Sequence, residues 1–147
     1  MPARNTVHFK PLTPEERAKQ AERRALIGNK GEKFVMKHEK DRLHSLGIKD
    51  KNYPKHVALE SMSHGYDILS IDENNSEIYI EVKTTTRAKD DSNSKWFYLS
   101  TNEYNKFNMD KPKYRLYRIY NIENEPELDI VNLDSVTKKP DGYIINY

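Results

Sequence analysis

The sequence predicts one compact α/β (α+β) domain in which helices lead into a mixed central sheet, and three observations carry that expectation. The chain has 147 residues, which suits one hydrophobic core and leaves no room for a second full domain. Apolar spacing is helical before about residue 46, and from Lys55 it becomes a two-residue alternation in HVALESM, YDILSI, EIYIEVK, WFYLS and YRLYRIY. Hydrophobic residues at 35% against charged residues at 33% imply a modest core and a well-solvated surface. Ten tyrosines fit that balance, because the ring can be buried while the hydroxyl finds a partner.

The elements follow in order. Residues 1–12 lack periodicity and read as a flexible lead or a docking arm. Thr13 followed by Pro14 and Glu16 is a capping-box start for a helix through PEERAKQAERRALI. Ala18, Ala21, Ala25 and Leu26 give that helix one narrow, weakly apolar face, suited to loose packing or to a partner. Gly28 and Gly31 interrupt the pattern, so a second helix is expected over 31–46, with Val35, Leu43 and Leu46 in phase and Gly47 ending it. HVALESM, YDILSI and EIYIEVK read as antiparallel strands, the last two joined as a hairpin through DENNS. RAKDDSNSK is a polar loop, WFYLS a strand, and TNEYNKF a short helix capped by Ser100 or Thr101. YRLYRIY is a further strand, and ELDIV and YIINY are edge strands around a turn containing Pro140, Asp141 and Gly142.

Several function classes are excluded. Without cysteine there is no disulfide, thiolate zinc site or cysteine nucleophile. No stretch approaches the ~20 apolar residues of a membrane helix, and MPARNTVHFK lacks a signal peptide's apolar centre, so the expectation is a soluble, cytoplasmic protein. The five histidines form no HxH or HxxxH pair suited to zinc, and GNKGE lacks the spacing of a phosphate loop. Charge is uneven: residues 1–42 hold 11 Lys and Arg against 6 Asp and Glu, whereas residues 121–147 hold 2 against 6. A basic leading end, with Lys30 and Lys33 on it, suits contact with phosphates, although a solvated amphipathic helix explains the same charges.

The chemistry-bearing residues sit in the hairpin. Alternation in EIYIEVK puts Ile78, Ile80 and Val82 on one face and Tyr79, Glu81 and Lys83 on the other. Asp67 shares a face with the apolar Leu69 and Ile71, and its separation from Glu81 suits a hairpin that sets the two acids across from each other. Two carboxylates meeting on a sheet repel unless a cation joins them. Mg²⁺ or Mn²⁺ is the expected remedy, being oxygen-loving and held by one or two carboxylates plus substrate phosphate. Lys83 would then position the attacking water or stabilise charge on the phosphate. A surface salt bridge between Glu81 and Lys83 is the plain alternative, and it leaves Asp67 unexplained.

Asp67, a hairpin and then Glu81-Val82-Lys83 resemble the PD-(D/E)XK nuclease motif, with Tyr66 where that motif commonly has proline. Across GNKGEKFV, HGYDILS, YIEVKTTT, FYLSTNEYNKF and YRLYRIYN, residues 28–121 resemble the NO VEIN C-terminal-type branch of that superfamily. The resemblance implies a restriction-endonuclease-like core with a β-hairpin active site flanked by helices. It divides the chain into an N-terminal arm and extra helix (1–27) and a nuclease-like domain (28–147). It places Glu32, Asp67, Glu81 and Lys83 in a catalytic site, with Asp67, Glu81 and the Val82 carbonyl on the metal. Thr84 and Thr85 would touch nucleic acid, while Glu103 and Arg118 receive no catalytic role. Plain explanations stand beside two of these assignments: an acid in a helix's first turn suits the macrodipole, and threonines suit strands. The implied activity is metal-dependent hydrolysis of phosphodiester bonds in DNA, in restriction, defence or repair, with RNA not distinguished from DNA. The alternative is a non-catalytic module that binds nucleic acid or a partner, through a homodimer or a larger ATPase- or helicase-type protein.

Overall fold

The computed structural model describes residues 11–60, 64–133, 136–139 and 141–147. The chain opens with α1, Pro14–Ser45, one continuous helix of 32 residues rather than the two expected. The Thr13 hydroxyl accepts the Glu16 N–H at 3.1 Å, and Glu15 and Glu16 face the positive end of the helix dipole. The helix stops in a Schellman arrangement: Gly47, at φ 71°, donates to the His44 carbonyl, and Ile48 donates to that of Leu43.

Gly28 and Gly31 do not break α1, because a helical glycine costs only about 1 kcal/mol relative to alanine and packing outweighs that. At Gly31 the missing side chain is required, since a Cβ there would overlap the Thr84 side chain. Gly31, Val35, Glu39 and Leu43 follow at four-residue steps as the buried stripe, while Leu46 stays exposed. Residues 11–26 are exposed throughout, with Arg23 meeting Glu123 at 3.6 Å and Ala25 reaching the cavity described below. The lead expected over residues 1–12 lies mostly outside the described residues.

Five strands form the central sheet in the order β1-β2-β3-β5-β6: β1 Lys55–His56, β2 Ile68–Ile71, β3 Glu77–Thr84, β5 Tyr114–Tyr120 and β6 Glu127–Val131. All neighbours are antiparallel except β3 and β5, so the sheet is mixed as expected. The hairpin turn also forms as read: the Asp72 carboxylate accepts N–H groups of Asn74 and Ser76, and Asn75 takes the left-handed conformation that asparagine tolerates. The long strand expected over HVALESM shrinks to β1. Beyond it a short 3₁₀ turn, Val57–Leu59, buries Val57 and folds over the end of β2, with the Ala58 N–H donating to the Asp67 carbonyl. Residues 61–63 of that segment lie outside the description.

The parallel β3–β5 pair needs a crossover, which runs through β4, Trp96–Ser100, and α2, Thr101–Met109. WFYLS and YIINY do not extend the central sheet. They become β4 and β8, Gly142–Asn146, in a second antiparallel sheet of order β4-β8-β7, whose outer strand β7, Val136–Lys139, has no counterpart in the expectation. The turn before β8 is described at Asp141 and Gly142, while Pro140 lies outside.

The central sheet is therefore the middle layer. Val35 of α1 packs on Ile78, Ile80, Val82 and Ile119 on one face, and Phe97, Leu99 and Ile145 of the second sheet pack on Tyr114 and Leu116 on the other. Each such side chain contributes about 1.5–3 kcal/mol of burial. Arg118, buried between the sheets, donates to the Ser94 carbonyl at 3.1 Å and the Tyr147 hydroxyl at 2.9 Å, a structural clamp. No helix among the described residues is long and apolar enough to cross a membrane.

Candidate functional site

Strand alternation divides β3 as the sequence indicated. Ile78, Ile80 and Val82 join the core beneath α1, and Tyr79 lies among the aromatic residues on the opposite face. Glu81 and Lys83 share that opposite face by parity. Ile68 pairs with Ile80, and Asp67 follows directly beyond that pair, beside Glu81 and Val82 of β3. The Asp67 N–H donates to the Ile80 carbonyl at 2.9 Å, and beyond it the side chain replaces the ladder, with Oδ2 accepting the Val82 N–H at 2.9 Å. The same parity turns the Val82 carbonyl toward the edge occupied by Asp67.

Asp67 owes its place to Gly65. That residue has φ 75°, and an added Cβ would stand 2.8 Å from the Lys106 Cβ and 3.0 Å from the Asn102 carbonyl oxygen. Only glycine lets the chain pass this close to α2 in a left-handed conformation. The Tyr114 hydroxyl fastens the Gly65 carbonyl at 3.2 Å.

Lys83 lies between two carboxylates, 3.2 Å from Glu81 Oε1 and 3.0 Å from Glu103 Oε1. Glu103 also belongs to the capping box of α2: its side chain accepts the Ser100 N–H at 2.9 Å, while the Ser100 hydroxyl accepts the Glu103 N–H at 3.1 Å. Glu32 reaches the same region from α1 and meets His56 Nε2 at 2.8 Å. Glu32, Asp67, Glu81 and Glu103, with Tyr66 and Asn102, line one cavity of about 530 Å³. No lysine or arginine is among its lining residues.

The electrostatics follow from burial and mutual repulsion. Burial pushes Asp67 up to about 6 against the pull of the Val82 N–H, and the Glu32 charge adds to the rise. Glu81, 2% exposed, is raised well above the ordinary carboxylate range by burial, with Lys83 opposing and Asp67 and Glu103 reinforcing. Burial works against the Lys83 ammonium, yet Glu81 and Glu103 outweigh it and keep the group cationic. Burial also pushes on Glu103, but Lys83 prevails and holds that carboxyl below its ordinary value.

Glu81 Oε2 is buried without any hydrogen-bond partner. Leaving such a group unpaired costs about 1–3 kcal/mol, more when it is charged. Among the described residues no three His, Asp or Glu side chains form a ready-made metal cage. A hard divalent ion does not require one: two carboxylates, a carbonyl, water and substrate oxygens suffice for Mg²⁺. Asp67, Glu81 and the Val82 carbonyl therefore fit such an ion.

The remaining expected residues lie elsewhere. Thr84 faces α1 beside Gly31, on the face opposite Glu81, with its hydroxyl buried and unpartnered. The Thr85 hydroxyl accepts the Arg87 N–H at 3.1 Å and shapes the turn leaving β3. Both are engaged in the fold rather than lining the cavity. Lys30 and Lys33 are exposed on the side of α1 turned away from its buried stripe, outside the cavity. His64, a histidine only three residues before Asp67 in the chain, does not line the cavity and packs its ring near Tyr66, 5.7 Å between centroids. Sequence reasoning missed the positions of His56 and Glu103. The capping box that marks Glu103 is legible in Ser100-Thr101-Asn102-Glu103, but its bond to Lys83 joins residues 20 apart and leaves no local signal.

A family model described as "Protein NO VEIN, C-terminal" matches residues 31–131, more than half of the chain. No curated protein and no solved structure shows significant similarity to it.

Proposed function

The chain belongs to the NO VEIN C-terminal family, and on that premise we propose that it is a divalent-metal-dependent nuclease hydrolysing phosphodiester bonds in DNA. The observation that carries this reading is Glu81 Oε2: a buried carboxylate oxygen with no partner, facing Asp67 across a hairpin in an acidic cavity. The resemblance of Asp67, Glu81 and Lys83 to the PD-(D/E)XK pattern supports it.

Mg²⁺ or Mn²⁺, when bound, would polarise the phosphoryl group and lower the cost of adding a nucleophile to it. Asp67, Glu81 and the Val82 carbonyl would hold the ion, whose charge would offset the burial that raises both carboxyls. Lys83 keeps a fixed positive charge beside Glu81, where it stabilises the charge gathering on the phosphate oxygens. Glu32, steadied by His56, stands on the cavity wall as an acceptor that orients the attacking water. Water adds to phosphorus in line as the P–O ester bond breaks, giving a phosphomonoester and a free hydroxyl. The exposed Lys30 and Lys33 track the backbone outside the cavity, which makes binding weaken steeply with salt.

The purified chain should cut single- or double-stranded DNA with Mg²⁺ or Mn²⁺ and stop on chelation, and Lys83→Ala should cut at least about 100-fold more slowly. Cleavage of neither DNA form with either ion, or full activity in Lys83→Ala, overturns the proposal. Cleavage of RNA alone would keep the site and change the substrate. A second reading has its own observation: the exposed first three turns of α1 suit a partner-binding module. A stable complex with an ATPase- or helicase-type protein that is lost when those turns are removed, in a chain that never cuts, would favour it.

A further inference from the structure

We propose that Glu103 is the positioning residue of Lys83, so that the cap of α2 sets the geometry of the site on β3. The inference rests on the nuclease reading for its kinetic consequence and on hydrogen-bond geometry for the rest.

A capping glutamate ordinarily needs only its own backbone. Glu103 reaches the Ser100 N–H at 2.9 Å and also takes the Lys83 ammonium at 3.0 Å, with its second oxygen 3.4 Å away. It is thus bound from two sides, by the start of α2 and by the end of β3, and its side chain is 20% exposed. Lysine is a flexible chain ending in a compact charge with three donors and has no preferred direction of its own. Against Glu81 alone, Lys83 would be free to close over both oxygens of that carboxylate. Drawn from the other side by Glu103, it contacts Glu81 through Oε1, and Oε2 is left buried without a donor. Glu103 therefore sets the charge's location and keeps one Glu81 oxygen available, without itself touching the reacting atoms.

The rival account is that Glu103 is a cap and nothing more. Glu103→Gln separates the two, because the amide oxygen still accepts the Ser100 N–H while the charge that holds Lys83 is lost. The expected result has three parts. The slowly exchanging ¹⁵N ammonium signal of Lys83 in the wild type disappears in Glu103→Gln. kcat falls on the order of 100-fold, as for a small misplacement of a reacting group, with KM little changed. The melting temperature stays close to the wild type's. Ser100→Ala, which removes the other half of the capping box, should lower the melting temperature yet retain the ammonium signal.

A pure cap would instead lower the melting temperature in Glu103→Gln and leave kcat and the signal intact, which overturns the proposal. If Glu103→Gln does not fold, a hydrogen-bond coupling between Lys83 Nζ and the Glu103 carboxyl carbon in the wild type decides the matter, and its absence overturns the proposal. If the wild type cuts nothing, the nuclease reading fails, and the ammonium signal in the two variants still tests this one.

Discussion

Glu39 and Glu81 are both shut away from solvent, at 0% and 2% exposure, and their surroundings treat them in opposite ways. Glu39, in the middle of α1, has both oxygens occupied: Arg42 binds them at 2.6 and 2.9 Å, and the Tyr117 hydroxyl donates from β5 at 3.1 Å. Arg42 in turn reaches the Ile71 carbonyl and, at 3.4 Å, the Ser70 hydroxyl, so the ion pair ties α1 to β2 and β5. Glu81 has Lys83 on Oε1 and no donor on Oε2, and its carboxyl meets that of Glu103. The first carboxylate is complete within the fold. On the proposed reading the second is completed by a bound ion, which is the difference between a buried acid that holds a fold together and one kept for a ligand.

The largest test of this contrast is at Glu39. Glu39→Ala leaves the Arg42 guanidinium and the Tyr117 hydroxyl without their main partner, and urea unfolding should show a loss of about 3–5 kcal/mol. A loss below about 1 kcal/mol would remove the distinction.

The next is the pH response of Asp67. Its folded carboxyl titrates at about 6 against 3.8 in the unfolded chain, so the folded state holds the proton more tightly. Its burial therefore costs little below about pH 4, and the cost grows as pH rises from about 4 to about 6 and is level above that. Without metal, Asp67→Asn should match the wild type near pH 4 and exceed it by about 3 kcal/mol above pH 7. Mg²⁺ should stabilise the wild type alone. A difference that is flat with pH, or that grows toward acid, contradicts the assignment.

The smallest expected change in stability is at Glu81. Near pH 4, where the Glu81 carboxyl is neutral in both the folded and the unfolded chain, Glu81→Gln should alter metal-free stability by no more than about 1 kcal/mol, and at neutral pH it should abolish the thermal shift caused by Mg²⁺. Destabilisation as large as that of Glu39→Ala would make the two glutamates equivalent.

Much of the site was readable from local pattern. The alternation of β3 follows from the two-residue period, and the pairing of Asp67 with Glu81 follows from the length of a hairpin whose turn residues are explicit in DENNS. What escaped depends on contacts between distant residues. Gly31 reads as a helix breaker until Thr84, more than fifty residues on, is seen to need the space. Glu39 looks like one more helix charge, because Tyr117 enters from β5. β7 is VTKK, exposed at all four positions, and an edge strand bearing lysines has no apolar alternation to detect. Nor does anything local in WFYLS reveal that its partner is β8 rather than the central sheet.

The exposed beginning of α1 carries one more consequence. At about 1.5 Å per residue, the nine residues from Pro14 to Glu22 extend roughly 14 Å before Arg23 meets Glu123 and Ala25 reaches the cavity. An α-helix of that length is a stiff spacer, so Thr13 is held at a set distance and bearing from the domain. A pair of fluorophores at Thr13 and on β6 would read that distance, and a Gly-Gly insertion near Ala21 would broaden it without disturbing the cavity.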